Sequence, residues 1–164
     1  MNAMTHSETA ALAAAGQYLS FRLDGENYGI DIMKVQEIRS YEQPTRMPHT
    51  AGFVLGVVNL RGVVVPILDL RVRFHCASAA FTPSTVVIVI DMGSRVVGVV
   101  VDAVSDVVTL EPGMVRPAPG MAGSLDASSI RGLAQVGERM LILLDIDALL
   151  SDAAPADAEL AQID

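Results

Sequence analysis

Residues able to perform catalysis are few in this chain, and their spacing does not suit it. His75 and Cys76 are adjacent, so on a strand they would point to opposite faces and could not form a nucleophile–base pair. The sequence has no His-x-x-x-His, no Cys-x-x-Cys and no carboxylate cluster with ligand spacing. We therefore expect no metal site and no cofactor. Gly25 and Gly93 are predicted turn glycines, because no phosphate-binding Gly-x-x-x-x-Gly-Lys sequence occurs.

Two aspartates, Asp69 and Asp145, each follow an apolar stretch and resemble a pair of catalytic carboxylates. General acid–base catalysis also needs a cleft and a second partner. Both aspartates occupy equivalent places in two similar segments of the chain. This equivalence favours helix capping or turn formation over catalysis.

Arg61 lies in the polar break between two apolar segments, within Asn59-Leu60-Arg61-Gly62. A guanidinium group is costly to bury without a partner. One hypothesis is an internal ion pair with a carboxylate such as Glu37 or Asp69. The other is an exposed arginine that anchors a partner protein, a role in which arginine is common. In that case the apolar part of the surface would come from Val35, Ile38 and Leu60.

Composition predicts a folded, strand-rich protein. The chain has 164 residues, 51% of them hydrophobic, and its Val-rich runs of four to eight residues are typical of strands. No apolar run is long enough to cross a membrane, and the N-terminal region makes a poor secretory signal. A single cysteine agrees with a reducing compartment, so we expect a cytoplasmic protein. The net charge of −8 without a basic stripe argues against nucleic-acid binding.

The sequence repeats itself weakly. Residues 56–70 align without a gap with residues 132–146, and glycine begins both segments. Upstream, residues 21–25 match residues 89–93, and residues 35–38 match residues 104–107, in the same order. In this alignment Gly137 is the counterpart of Arg61, so the repeated unit itself does not require an arginine there.

The repeat and the evenly spaced turn signals predict an all-β fold. We expect two small tandem five-stranded barrels of SH3-like or OB-like type with short helical segments, because closure removes exposed strand edges. An exchange of a strand between the two barrels is an open alternative. The predicted first barrel spans roughly residues 17–81 and the second roughly 84–150. Residues 1–16 and the acidic residues 151–164 are predicted to be flexible tails.

Four segments in order carry a resemblance to a known family: residues 28–38, 57–71, 96–106 and 116–119, the second with the sequence VVNLRGVVVPILDLR. From about Gln17 to Ser151 the chain is similar to the CheW family of chemotaxis coupling proteins. The resemblance implies two small barrels forming an adaptor without catalytic activity. It implies that the adaptor joins the cytoplasmic tips of chemoreceptors to the histidine kinase CheA, whose regulatory domain is itself CheW-like, in rings at the inner face of the membrane.

The resemblance also implies two binding surfaces. The segment Arg116, Pro117 and Met121 resembles a kinase-binding contact, although the family has a bulkier aromatic residue where Met121 stands. The implied receptor-binding surface comprises Val35, Glu37, Ile38, Gly56, Asn59, Leu60, Arg61 and Gly62.

Other functions stay open at the level of sequence. A coupling module of a related kinase pathway, controlling surface motility or biofilm growth, would have indistinguishable barrels. A small hydrolase would use Cys76 or the aspartate pair. An oligonucleotide-binding barrel would need basic and aromatic residues on one face, whereas this acidic chain has only three Tyr and four Phe.

Overall fold

The computed structural model describes residues 15–48, 52–74, 76, 79–117 and 129–150. Within these residues the chain forms short strands, two one-turn α-helices and two 3-10 turns, at Ile32–Lys34 and Pro112–Met114. None of the described helices is long and apolar enough to cross a membrane. The helices are α1 (Leu70–Arg73) and α2 (Ile146–Leu149), and the strands are β1 (Gly16–Leu23), β2 (Glu26–Asp31), β3 (Val35–Ser40), β4 (Val54–Leu60), β5 (Val63–Asp69), β6 (Val86–Asp91), β7 (Val96–Val101), β8 (Ala103–Leu110), β9 (Val115–Arg116), β10 (Ile130–Val136) and β11 (Arg139–Leu144).

The strands form two sheets, which confirms the predicted all-β fold with short helical segments. One sheet has six strands in the order β8-β1-β2-β11-β10-β9, and the other has five in the order β3-β6-β7-β5-β4. Most neighbours are antiparallel. Two pairs are parallel, β11 with β2 and β5 with β7, and both join strands distant in the sequence.

The two sheets exchange strands, so the predicted division at residues 81–84 does not describe which strands share a sheet. Strands β1 and β2 lie in the six-stranded sheet with β8 to β11, whereas β6 and β7 lie in the five-stranded sheet with β3 to β5. Each half of the chain thus lends its first two strands to the sheet built mainly from the other half. The predicted boundaries followed the sequence repeat, which does not reveal the parallel pairing of strands that are distant in the sequence.

Three apolar clusters hold the sheets together. One lies between the sheets and includes Phe21, Leu68 and Val99, all fully buried. A second belongs to the six-stranded sheet and contains Leu141 and Val115. The third belongs to the five-stranded sheet and contains Leu60 and Val89. Each sheet therefore buries side chains on both faces, which explains the near-continuous apolar runs in the sequence.

The sequence repeat has clear structural counterparts. The register shifts just before Gly56 in β4 and just before Gly132 in β10. The β4–β5 hairpin and the β10–β11 hairpin both turn through two residues. The two aspartates cap helices, as predicted: Asp69 accepts from the amide of Arg71, and Asp145 accepts from that of Ala148.

Candidate functional site

The predicted surface around Arg61 lies where the two edge strands of the five-stranded sheet approach each other. Glu37 is on β3, and Arg61 is in the turn that joins β4 to β5. Arg61 Nη2 donates to Glu37 Oε2 at 2.5 Å, and Arg39 Nη1 donates to Glu37 Oε1 at 3.0 Å. One carboxylate thus holds two guanidinium groups, and the ion pair spans the gap between β3 and β4.

The Glu37–Arg61 pair is at the surface. The Arg61 side chain is 63% exposed and that of Glu37 is 25% exposed. The hydrogen bond from Arg61, followed by that from Arg39, lowers the pKa of Glu37 below its usual range. The hypothesis of an internal ion pair is right about Glu37 as the partner and wrong about burial, because most of the guanidinium faces solvent. Asp69 pairs with a different arginine.

The turn that carries Arg61 is unfavourable for an arginine. Leu60 faces Val63 across the hairpin, and the two turn residues have positive φ, +51° at Arg61 and +89° at Gly62. Such a turn favours Asn-Gly or Gly-Gly, because a Cβ in this left-handed conformation costs about 1 kcal/mol. Asn59 Oδ1 accepts from the amide of Gly62 at 2.8 Å and fixes the turn. The arginine therefore stands at the hairpin tip against the local backbone preference.

The predicted apolar patch of Val35, Ile38 and Leu60 does not form. Leu60 is 7% exposed and belongs to the cluster of the five-stranded sheet, while Val35 packs against the cluster between the sheets. Ile38 is exposed, but it faces away from Glu37, because side chains alternate along β3. Val63 and Val64, which directly follow the Arg61 turn, are exposed aliphatic residues.

Gly56, also predicted to bind the receptor, is buried. A Cβ built on it would lie 2.1 Å from the carbonyl oxygen of Thr45, and its φ is +150°. This close approach allows Thr45 to pair with Val57 through two backbone hydrogen bonds of 2.9 Å. Gly56 therefore permits this pairing of Thr45 with Val57, and its own position is buried.

A narrow cleft lies beside the Glu37–Arg61 pair. It has a volume of about 50 Å³, and its lining includes the polar residues Arg39 and Asn59 and the apolar residues Leu60, Val87 and Val89. A metabolite or organic cofactor needs a pocket several times larger. The cleft suits a small apolar side-chain tip or a few waters.

The predicted kinase-binding residues lie on the other sheet. Arg116 and Pro117 are exposed, and Arg116 ends the edge strand β9, where it pairs with Leu133 of β10. Met121 lies outside the described residues. The structure thus places the two predicted surfaces on different sheets.

The six-stranded sheet has an ion pair equivalent to Glu37–Arg61, which sequence reasoning missed. Asp106 on β8 accepts from Nη1 and Nη2 of Arg139 on β11, both at 3.3 Å. Asp106 aligns with Glu37 in the sequence repeat. The residue after each carboxylate is an exposed aliphatic one: Val107 is 51% exposed and Ile38 is 45% exposed. The alignment of residues 35–38 with 104–107 pointed to Asp106 as a second surface carboxylate. Its partner could not be read from the alignment, because Arg61 aligns with Gly137 and not with Arg139.

Arg71 is the second residue that sequence reasoning missed. Its side chain is fully buried, and it forms a two-point hydrogen bond with Asp69 at 2.9 and 3.0 Å. It also donates to the carbonyl of Ala80 and stacks on the ring of Phe81, 4.7 Å from the ring centre. The available signal was the Asp-Leu-Arg spacing at residues 69–71, in which a capping aspartate meets an arginine two residues later.

The catalytic candidates gain no support from the described residues. The pKa of Cys76 is raised, first by burial and then by nearby carboxylates including Asp24, so the thiol loses nucleophilic character. His6, His49 and His75 lie outside the described residues. No group of three or more potential metal ligands occurs among residues that the structure describes.

The fold places this protein in the class of β-proteins that are built from two small modules with exchanged strands. The family model of the CheW-like domain matches residues 17–154. The Chemotaxis protein CheW of Klebsiella aerogenes is 52% identical over 147 residues, 90% of this chain and 89% of that protein. The chain belongs to the CheW family of chemotaxis scaffold proteins.

Two further relatives agree with this assignment. The crystal structure of the scaffolding protein TtCheW from Thermoanaerobacter tengcongensis matches with a TM-score of 0.76 at 28% identity, and covers 83% of this chain and 88% of that chain. Protein FrzA of Myxococcus xanthus is 30% identical over 139 residues, 84% of this chain and 86% of that protein.

Proposed function

We propose that this protein is a cytoplasmic adaptor that couples chemoreceptor tips to the histidine kinase CheA and is recruited to receptor arrays at the inner face of the membrane. It binds two proteins through separate surfaces and turns over no substrate. The receptor surface lies on the five-stranded sheet around Glu37 and Arg61. The kinase surface lies on the six-stranded sheet around Arg116 and Pro117, extending towards Met121.

The observation that carries this proposal is the exposure of Arg61 at a strained turn position. Its φ of +51° disfavours an arginine, and among the described residues its one ion-pair partner is Glu37, which leaves other donors of the 63% exposed guanidinium available. Exposed ion pairs add little to stability, so stability does not account for the residue. A recognition role does, because arginine often anchors interfaces between proteins.

The surface near Arg61 suits a helical partner. Val63 and Val64 directly follow the Arg61 turn and are exposed aliphatic residues. A helical receptor tip can lay an apolar stripe on such residues while a carboxylate or carbonyl meets the guanidinium. To transmit a signal, these contacts must differ between the two receptor states, because equal binding to both states shifts nothing.

On the kinase side, β9 is an edge strand of the six-stranded sheet. An exposed arginine and proline at such an edge offer a contact to another β-module without inviting uncontrolled strand pairing. We propose that the CheW-like regulatory domain of the kinase, or another CheW-like module in a ring, binds there. A related kinase pathway for surface motility or biofilm growth would use the same surfaces with different partners.

The test is charge reversal at Arg61 with a matched control on the other sheet. Aspartate tolerates positive φ, so Arg61→Asp should fold with a melting temperature close to wild type. We expect it to lose receptor pull-down and kinase activation. Arg22→Asp, which reverses an exposed arginine on β1, should retain both. Normal receptor binding by a folded Arg61→Asp protein would refute the receptor surface.

A further inference from the structure

The chain crosses from the five-stranded to the six-stranded sheet through a single residue, Asp102. Strand β7 ends at Val101 and belongs to the first sheet, while β8 begins at Ala103 and belongs to the second. A one-residue connection between two packed bodies is the natural place for a hinge. The contacts of its side chain therefore bear on how the sheets are held.

The Asp102 carboxylate is held from both sides. Its Oδ1 accepts from Arg71 Nη1 at 3.3 Å, and Arg71 is fixed to Asp69 at the end of β5 in the five-stranded sheet. Its Oδ2 accepts from the backbone amide of Asp24 at 2.8 Å, in the β1–β2 turn of the six-stranded sheet. The backbone amide of Asp102 also donates to the carbonyl of Arg22 at 3.1 Å.

Apolar packing alone does not set the angle between the sheets. The cluster between them consists mainly of Val, Leu, Ile and Phe side chains, and burial of such residues is non-directional. Hydrogen bonds to charged groups have fixed geometry and specify one arrangement. A buried arginine is weak evidence for stability, because apolar replacements are often as stable. Arg71 therefore calls for a reason other than stability.

The network also reaches towards the Glu37–Arg61 surface. Phe81 lies over the Arg71 guanidinium and stacks on Tyr41, with ring centres 4.2 Å apart. Tyr41 directly follows β3, the strand that carries Glu37 and Arg39. A continuous set of contacts thus connects the end of β3 with the β1–β2 turn on the other sheet.

We propose that Asp102, held by Arg71 and by the Asp24 amide, is a locked hinge that fixes the orientation of the two sheets, and that signal transfer between receptor and kinase requires this lock. Arg71 and Asp102 act as positioning residues and contact neither partner. The second part rests on the proposed function.

The test removes the lock without touching either binding surface. Asp102→Ala deletes both acceptors, and Asp102→Asn retains one and guards against a folding failure. The matched control is Asp106→Ala, because that carboxylate also pairs with an arginine but only within the six-stranded sheet. In a Cys76→Ser background, spin labels at Gln36 and Thr109, both exposed and on different sheets, report the inter-sheet distance.

We expect Asp102→Ala to broaden the distance distribution and to make the Asp24 amide exchange about tenfold faster, as loss of one hydrogen bond predicts. The Met33 amide, which donates to Asp31 at 2.9 Å, should exchange at the wild-type rate. Binding of each isolated partner should stay near wild type, while kinase activation by receptor falls about fivefold or more. Asp106→Ala should change none of these.

An unbroadened distance distribution in a folded Asp102→Ala protein would overturn the hinge. A broadened distribution with normal kinase activation would overturn the claim that transfer depends on it. If the wild-type protein binds neither partner, the proposed function fails, and the distance and exchange measurements still decide whether the hinge exists.

Discussion

Arg61 and Gly137 occupy the same position in two equivalent hairpins, the first residue of a two-residue turn, with φ of +51° and +61°. Glycine adopts this conformation freely, and arginine does so at a cost. One copy of the repeat therefore shows what the backbone favours, and the other shows a departure from it. A departure of this kind is expected where function opposes local preference.

Exchanging these two residues separates recognition from folding. We expect Arg61→Gly to change the free energy of unfolding by less than about 1 kcal/mol, because relief at the turn offsets the lost surface ion pair. Receptor binding should weaken at least about tenfold, as for an anchor residue. The reverse change, Gly137→Arg, should cost about 1 kcal/mol and spare receptor binding. Titration with a receptor fragment measures the affinity, and urea unfolding measures the stability. Unaltered receptor affinity of Arg61→Gly would count against Arg61 as an anchor residue.

Gly56→Ala should act through folding alone. The new Cβ would lie 2.1 Å from the carbonyl oxygen of Thr45, which is backbone and cannot move aside. We expect a loss of about 3 kcal/mol or more in the free energy of unfolding, measured by urea denaturation. Gly52→Ala is the control, since a Cβ there meets nothing within 4 Å, and should change stability by less than about 1 kcal/mol. A fully stable Gly56→Ala protein would contradict the described approach of Thr45.

Ionisation of the buried Tyr28 should lower the stability of the folded protein at alkaline pH. Burial, followed by nearby Cys76 and carboxylates, raises the pKa of Tyr28 to about 12. A folded-state pKa above the unfolded value means that the stabilisation is complete below pH 10 and is lost as the pH rises towards 12. The loss amounts to about 2 kcal/mol. Tyr28→Phe keeps the ring contacts with Phe21 and Phe74. The free energy of unfolding of this variant, measured with urea, should fall less between pH 9 and pH 12 than that of the wild type. An equal fall in both proteins would argue against Tyr28 as the cause.

Charge reversal at Arg116 should affect assembly more than receptor binding. Arg116 lies on β9 in the six-stranded sheet, apart from the Glu37–Arg61 pair in the five-stranded sheet. We expect Arg116→Asp to reduce kinase binding and array formation, seen by co-sedimentation, while the receptor affinity stays within about twofold of wild type. Arg139→Asp disrupts the pair with Asp106 on the same sheet and controls for charge. Equal loss of both activities in Arg116→Asp would refute separate surfaces.

Much of the fold was predictable from particular residues. The turn at Asp24-Gly25, the aligned glycines Gly56 and Gly132, and the capping aspartates Asp69 and Asp145 all have local physical causes and take their expected places. Local signals of this kind survive in a single sequence because turns and caps depend on a few neighbouring residues.

A strand exchange between the two barrels was foreseen, but which strands exchange, and which site residues are buried, were not predictable in the same way. Parallel pairing of β2 with β11 and of β5 with β7 depends on contacts between distant segments, and no local pattern encodes it. The same holds for Leu60, which adjoins Arg61 in sequence yet points into a core, and for Arg71, whose partners Ala80 and Asp102 come later in the chain.

The pairing of β2 with β11 also determines when the six-stranded sheet can be completed during biosynthesis. Strand β2 lies in the six-stranded sheet beside β11, and the paired residues Asn27 and Leu141 are far apart in the sequence. Until β11 is synthesised, β2 exposes an open edge and the six-stranded sheet is incomplete. The six-stranded sheet is therefore complete only after β11 has been synthesised, and a chain that stops before β11 would be a target for chaperones or aggregation rather than a smaller working module.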